Sequence, residues 1–206
     1  MNRIIVFALM FFCMTMQIEA QTLSEEEVTA KMYQAFELNK AAKKAEALEL
    51  FLIVGENTKQ QRNEGERQVY VCSQTMACQC YELLGRYKEG YLLGKSLLQG
   101  KLNDTERKDV GHLYAMNGYM YACEFIQRDE KGRADYKRGR ELISEILPYS
   151  DGQVKEYAET KIPLSWYFEG AQYAMTQSYD EALSSYEEAL NGFRDLGRVS
   201  EEVDVL

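Results

Sequence analysis

The chain has 206 residues, of which 46% are hydrophobic and 28% are charged, with only 2 prolines. The apolar content supports a real core, the low proline content fits a helical chain, and one domain accounts for the length. The net charge is -9, which argues against a nucleic-acid-binding protein, for which a basic face is expected.

The N-terminal segment 1–20 has the pattern of a bacterial export signal. Arg3 supplies positive charge, and an apolar core follows it. This core is shorter than the ~20 apolar residues that a membrane-spanning helix needs. We therefore predict a signal peptide at 1–20 with cleavage between Ala20 and Gln21; the alternatives are an uncleaved anchor and a buried N-terminal helix. The mature chain, 21–206, would then be exported to the periplasm or to the extracellular face of the membrane.

The mature chain opens with a capping pattern and a weak helical hairpin. Ser24 and Glu27 have the spacing of a capping box, which predicts the start of a helix. A second helix is predicted in the run AEALELFLIV, which carries the small residue Ala47. We place this first unit at about 28–61.

Two further hairpins are predicted at about 71–104 and 111–153. Their second helices contain Gly90, Gly94 and Gly139. Since glycine inside a helix costs about 1 kcal/mol relative to alanine, these glycines indicate either close backbone contact or a soft helix. A long polar connection in the third unit, near 127–135, is interpreted as a solvated loop of mixed charge. The basic residues that cluster around this connection are Arg128, Lys131, Arg133, Lys137, Arg138 and Arg140.

The fourth hairpin, at about 163–196, has the most complete pattern. Pro163 suits the first turn of its first helix. Ser178 and Glu181 form a capping box for its second helix, and Gly197 is a closing signal. Aromatic and small residues share one face of each helix: Trp166, Gly170 and Tyr173 on the first, and Ala182, Tyr186 and Ala189 on the second.

This spacing of aromatic and small residues resembles that of the tetratricopeptide repeat. The resemblance implies an all-α fold in which antiparallel helix hairpins stack as a right-handed solenoid over 21–206. Matching small residues of the second helices are Ala47, Gly90, Gly139 and Ala182. Because repeats of this family are binding scaffolds, the resemblance also implies a protein or extended-peptide partner.

The segment 200–206 is similar to the opening of a fifth unit, because Ser200 is a good N-cap and two glutamates follow it. It is interpreted either as the front of a continuing chain, which we favour, or as a short capping helix. A continuing chain leads to an alternative function, the periplasmic sensory region of a membrane-bound signalling protein. A membrane span and a histidine kinase or helix-turn-helix regulator would then follow, and contact with the membrane would come only through that span.

The cysteines and the single histidine are the candidates for sites of chemistry. Cys72, Cys78 and Cys80 are predicted on one helix, where Cys78 fills a small core position. A Cys72–Cys123 disulfide is conceivable in an exported protein, and Cys72, Cys123 and His112 are the one metal-site hypothesis. We find no catalytic motif, and we predict no enzymatic activity in this segment, no resident metal and no cofactor.

The resemblance implies a binding groove on the concave face, lined by the first helices. This groove is more apolar and aromatic than charged, which favours an extended apolar or aromatic peptide. The other interpretation is that the same positions pack against neighbouring helices. The groove positions are Cys72, Thr75, Gln79, Glu82 and Leu83 in unit two, His112, Ala115, Tyr119, Ala122 and Cys123 in unit three, and Leu164, Tyr167, Ala171, Ala174 and Met175 in unit four.

Overall fold

The computed structural model describes residues 23–127 and 134–198. Every regular element in these ranges is helical, so the predicted all-α class is confirmed. The α-helices are α1 (Glu25–Lys40), α2 (Lys44–Thr58), α3 (Glu64–Leu83), α4 (Tyr87–Leu98), α5 (Asp104–Ile126), α6 (Tyr136–Ile146), α7 (Gly152–Met175) and α8 (Tyr179–Asp195), and a 3₁₀ turn, Leu147–Tyr149, follows α6.

Several sequence predictions concern residues outside these ranges. They are the signal peptide at 1–20 with its Ala20–Gln21 junction, the fifth unit at 200–206, and the basic residues Arg128, Lys131 and Arg133. Export and a fifth unit therefore stay predictions.

The helices form four hairpins in chain order, which we number units one to four. Each helix packs against the next one along the chain, and α5 also packs against α3 and α7. The short turns inside the units make paired helices run in opposite directions. This stacking gives a repeat-like, all-helical array.

Three of the four hairpins turn in the same way. The second residue after the first helix has a positive φ, and the N–H of the residue after that donates to a carbonyl five residues earlier, as in a Schellman motif. The positive-φ residues are Ala42 (61°), Gly85 (69°) and Gln177 (60°), and the bonds are Lys43 N to Leu38 O, Arg86 N to Tyr81 O and Ser178 N to Tyr173 O, each 2.9 Å long. Gly197, with φ 67°, ends α8 similarly, so the predicted closing signal is confirmed.

One of the two predicted capping boxes is present and the other is not. The Ser24–Glu27 capping box is present at the start of α1. Ser178 is the N-cap of α8, but its side chain accepts no capping hydrogen bond, so the capping box predicted there is wrong. The chain bends so that Ser178 has φ -86° and ψ 71°, which is outside the extended geometry found at Ser24.

The fourth unit begins earlier than predicted. Its first helix starts at Gly152, and Pro163 lies inside the helix rather than in its first turn. Pro163 cannot donate a backbone hydrogen bond to the carbonyl of Glu159. The proline is buried against α8, where a Cβ at Gly192 would lie 2.9 Å from its own Cβ. Packing between the two helices therefore accommodates a residue that local rules place at a helix end.

The glycines of the second helices mark close contacts. A Cβ at Gly94 would lie 3.2 Å from the Cα of Tyr114. A Cβ at Gly139 would lie 2.5 Å from a side-chain carbon of Ile126 and 3.2 Å from the carbonyl oxygen of Ala122. Of the two interpretations of these glycines, close backbone contact is the one that the structure supports.

Arg140 does not belong to a solvated loop, contrary to the prediction. It lies inside α6 and is buried, and its Nη2 donates a hydrogen bond of 2.7 Å to Oε2 of Glu169 in α7. Its guanidinium lies over the ring of Trp166, 3.4 Å from the centroid. Lys137 and Arg138 are exposed, as predicted. Burial is possible because the charge is paired and the guanidinium plane stacks on an aromatic face.

Candidate binding surface of the first helices

The first helices of the units, α1, α3, α5 and α7, form the surface on which binding was predicted, and we call it the first-helix face. Two clefts lie on it, each between two first helices. The N-terminal cleft, between α1 and α3, is lined by Val28, Thr29, Met32, Tyr33, Phe36 and Val69 and has a volume of about 250 Å³. The C-terminal cleft, between α5 and α7, has a volume of about 190 Å³ and is lined by Tyr119, Glu156, Tyr157, Thr160, Lys161, Leu164 and Arg198.

The N-terminal cleft has a fixed floor and an exposed aromatic wall. Phe36 packs edge-on against Phe51 of α2, with ring centroids 5.5 Å apart. Tyr33 is 70% exposed. An aromatic side chain held this far out in solvent offers a large area for burial by a ligand.

A polar pocket continues the N-terminal cleft toward the start of α3. It shares Val28, Thr29 and Val69 with that cleft. Arg62 and Glu66 stand in its wall, with Nη2 of the arginine 2.8 Å from Oε1 of the glutamate. The hydrogen bonds from Arg62 hold the pKa of Glu66 below its ordinary value. This end of the cleft therefore offers both a cationic and an anionic group.

A tyrosine pair dominates the C-terminal cleft. Tyr119 of α5 and Tyr157 of α7 stack with ring centroids 6.3 Å apart. Burial, together with a hydrogen bond to the Cys123 thiol, raises the pKa of the Tyr119 hydroxyl, so this hydroxyl stays neutral. Leu164 adds an aliphatic side chain to the same wall. The cleft can thus bury apolar groups against flat aromatic surfaces.

The charged side chains that line the C-terminal cleft differ in their ion pairing. Glu156 Oε1 lies 3.0 Å from Nη2 of Arg198. Lys161 has no ion-pair partner among the residues at 23–127 and 134–198. Lys155 precedes Lys161 on α7, and its Nζ lies 3.8 Å from Oε1 of Glu159.

The structure brings some of the predicted groove residues together. Tyr119 and Leu164 line the C-terminal cleft, and the buried Cys123 lies beside Tyr119. On α3, Cys72 is exposed and Gln79 is half-buried. Thr75 is also half-buried, but its hydroxyl donates to the carbonyl of Val71 at 2.7 Å. These positions remain a prediction of the binding surface.

Other predicted positions lie elsewhere. Tyr167 packs on Tyr186 of α8, with ring centroids 5.8 Å apart, rather than in either cleft. Ala171 is half-buried, and Met175 is exposed at the last residue of α7. Two alanines of α5, Ala115 and Ala122, are fully buried. For these two alanines, the interpretation as packing positions is the one that holds.

His112 and the cysteines are separate from one another. His112 Nδ1 lies 3.0 Å from Asp151 Oδ1, at the start of α7. Cys72, Cys78, Cys80 and Cys123 are all free thiols, so the conceivable Cys72–Cys123 disulfide is not formed. Over the described ranges, no three His, Cys, Asp or Glu side chains are grouped as a metal site would need, so the metal hypothesis gains no support.

Cys78 has the core role predicted for it. It is buried, and its thiol donates to the carbonyl of Gly90 at 3.8 Å. Burial raises the pKa of the thiol to about 12, which makes it unreactive at neutral pH.

Sequence reasoning missed most of the residues that line the two clefts. Met32 and Phe36 are four apart and share a face of α1, a signal that could have located the N-terminal cleft. Tyr157 and Lys161 were missed because the first helix of unit four was expected to begin at Pro163. Because the helix was expected to begin at Pro163, the cleft residues that precede Pro163 in α7 were not predicted.

Among the described residues, no helix combines the length and the apolar character that crossing a membrane would require. Comparison of the chain with protein-family models, with curated proteins and with solved structures finds no match.

Proposed function

We propose that the mature chain is an exported helical-repeat scaffold that binds a protein or an extended peptide on its first-helix face. The observation that carries the proposal is the N-terminal cleft, where Tyr33 is 70% exposed beside the partly buried Met32 and Phe36. Aromatic and aliphatic side chains around a cleft bind by removing apolar surface from water. In this proposal the segment acts by binding.

The ligand chemistry follows from the two ends of the N-terminal cleft. Tyr33 and Phe36 suit an aromatic or aliphatic side chain, and Arg62 and Glu66 suit backbone or polar groups of the same ligand. An extended peptide presents both kinds of group at short intervals. We therefore favour such a peptide over a compact small molecule.

We also propose that the four hairpins form a right-handed solenoid of the tetratricopeptide type. Two features support this proposal: the shared positive-φ turn of units one, two and four, and the close approach of helices at Gly94 and Gly139. A crystal structure of the mature chain measures the handedness directly, and a left-handed stack would contradict the proposal.

The binding proposal is tested with displayed random peptides of about 12 residues, selected on the immobilised mature chain. We expect enriched sequences with aromatic residues, and we expect Tyr33→Ala to weaken their binding about tenfold, which is the ~1.4 kcal/mol of one lost aromatic contact. Tyr179→Ala is the matched control, because Tyr179 is 67% exposed but belongs to α8. Failure to enrich any peptide, or equal losses in both variants, would refute the site.

Export is tested by expressing the full chain in a bacterium with two membranes and fractionating the cells. We expect the protein in the periplasmic fraction, with an intact mass that corresponds to a mature N-terminus at Gln21. A cytoplasmic protein that retains residues 1–20 would contradict the proposal.

A further inference from the structure

The polar pocket that continues the N-terminal cleft has a surplus of negative charge. Its charged side chains are Glu25, Arg62 and Glu66. Nε of Arg62 donates to Oε2 of Glu66 at 3.1 Å, and Nη2 lies 2.8 Å from Oε1, so the two charges offset each other. The carboxylate of Glu25, in the first turn of α1, therefore leaves the pocket with a net negative charge.

Glu25 is also the charged group of the pocket that the protein leaves available. The hydroxyl of Thr58 and the side-chain amides of Asn57 and Asn63 all have hydrogen-bond partners in the chain. Glu25 is exposed, and its carboxylate has no hydrogen bond or ion pair with any residue of 23–127 and 134–198. An unpaired carboxylate at the edge of a pocket attracts a cationic group of a ligand.

The charge of Glu25 acts across the pocket. Hydrogen bonding to Glu66 raises the pKa of the Arg62 guanidinium above its ordinary value, and the charge of Glu25 contributes in the same direction. An anionic ligand group at this place would meet a repelling carboxylate, with the neighbouring guanidinium already paired. A cationic group would instead be attracted, and the net charge of -9 on the chain favours its approach over longer distances.

The aromatic wall of the N-terminal cleft lies about two helical turns from Glu25. Glu25 lines the polar pocket, Tyr33 lines the cleft, and the two spaces share Val28 and Thr29. The eight residues from Glu25 to Tyr33 rise about 12 Å along the helix. Four residues of an extended peptide span about 13 Å, and side chains four positions apart project to the same side. A ligand with a basic residue four positions from an aromatic residue can therefore contact both groups at once.

We propose that the ligand of the N-terminal cleft is a basic and aromatic extended peptide, in which a lysine or arginine pairs with Glu25 and an aromatic residue four positions away packs on Tyr33. This inference rests on the proposed peptide binding and adds the charge and the spacing of the residues that are recognised. It distinguishes this cleft from the C-terminal cleft, where the side chain without an ion pair in the described part of the chain is the cation Lys161.

Random peptides of about 12 residues, displayed and selected on the immobilised chain, give the first measurement. Among enriched peptides with an aromatic residue, we expect lysine or arginine four positions away about threefold more often than in the unselected library. Aromatic peptides without this excess of basic residues would overturn the inference and leave the peptide-binding proposal standing. Failure to enrich any peptide would refute both.

A pair of glutamate variants gives the second measurement. Glu25→Gln should weaken the binding of a synthetic copy of an enriched peptide about fivefold, the upper range for an exposed ion pair. Glu26→Gln is the matched control, with an expected loss of less than about twofold, because Glu26 is exposed in the same turn but does not line the pocket. Both variants lose the same net charge and a similar interaction with the helix dipole. Fluorescence anisotropy at low ionic strength measures both.

The peptide supplies the other half of a double-mutant cycle. Replacing its basic residue by glutamine should weaken binding to the unchanged chain about fivefold and should make no further difference to Glu25→Gln. Equal losses in Glu25→Gln and Glu26→Gln would overturn the proposal. So would a second loss of the same size when the peptide and Glu25 are changed together.

Discussion

The inner junctions and the last described helix, Tyr179–Asp195, place one helix position in different environments. In each second helix, this position directly follows the matched small residue. Its occupants Leu48 (3% exposed), Tyr91 (3%) and Arg140 (9%) are buried, whereas Leu183 is 60% exposed. In units one to three, residues from the first helix of the next unit cover this position.

The inner junctions also show how different chemistries fill one position. Tyr91 stacks on Tyr114 with ring centroids 5.3 Å apart, and its hydroxyl donates to Glu145 at 2.9 Å. Burial opposes ionisation of Glu145, but hydrogen bonds from Lys95, Tyr114 and Tyr91 outweigh it and hold the pKa of the carboxyl below its ordinary value. Arg140 instead pairs with Glu169 and stacks on an indole ring. The position tolerates aliphatic, aromatic or charged residues if the next unit supplies the partner.

Truncating the two leucines should give the largest contrast. Leu48→Ala removes a side chain from the apolar cluster shared with Ala77 and Tyr81 of α3, and we expect a loss of about 3 kcal/mol in the free energy of unfolding. Leu183→Ala should change it by less than about 0.5 kcal/mol. Urea unfolding followed by circular dichroism measures both. Similar losses would show that unit four is already covered at Leu183.

Breaking the charged junction should have the next largest effect. The side chains of Arg140 and Glu169 are 11% and 17% exposed, so Arg140→Ala leaves a largely buried carboxylate without its partner. We expect a loss of about 2 kcal/mol, below the ~3–5 kcal/mol of a fully buried pair.

Arg138→Ala is the matched control for this junction. Its pair with Glu141 is on the same helix but about half exposed, so we expect a change of less than about 1 kcal/mol. Urea unfolding of both variants gives the comparison. A larger loss in Arg138→Ala than in Arg140→Ala would contradict the role of the buried pair.

Substitutions in the hairpin turns should have the smallest effect on stability, and one of them should increase it. Gln177 has φ 60° where unit two has Gly85 with φ 69°. Because a left-handed conformation costs a non-glycine residue about 1–2 kcal/mol, Gln177→Gly should stabilise the fold by about 1 kcal/mol. Gly85→Ala should destabilise it by a similar amount. Thermal unfolding checks both, and destabilisation by Gln177→Gly would show that the glutamine side chain has a contact that outweighs the strain.

Sequence patterns predicted the parts of the fold that depend on local spacing. The helical pairing, the Ser24–Glu27 capping box and the end of α8 at Gly197 follow from residues a few positions apart. Sequence patterns also located the small residues Gly90 and Gly139. They did not show whether these glycines mark a close helix contact or a soft helix, because the contacting residues, Asn117 and Ile126, belong to other helices.

The parts that sequence patterns missed depend on residues far apart in the chain. Pro163 is tolerated inside α7 because Gly192 makes room for it, and Arg140 is buried because Glu169 and Trp166 are opposite. The two clefts are formed between first helices of different units, so no single unit contains the pattern of either one. Local preference placed Arg140 in a loop and Pro163 at the start of a helix. In the structure, contacts with residues of other segments allow both to lie inside helices.

One backbone hydrogen bond makes the third unit a natural place for engineering. Asp135 N donates to Phe125 O at 2.8 Å, which joins the end of α5 to the residue before α6. Because the chain leaves and returns at the same point, the spacing of the two helices does not depend on how many residues lie between them. A reporter peptide, an affinity tag or new chain termini could therefore be introduced between 127 and 134 while both helices keep their packing.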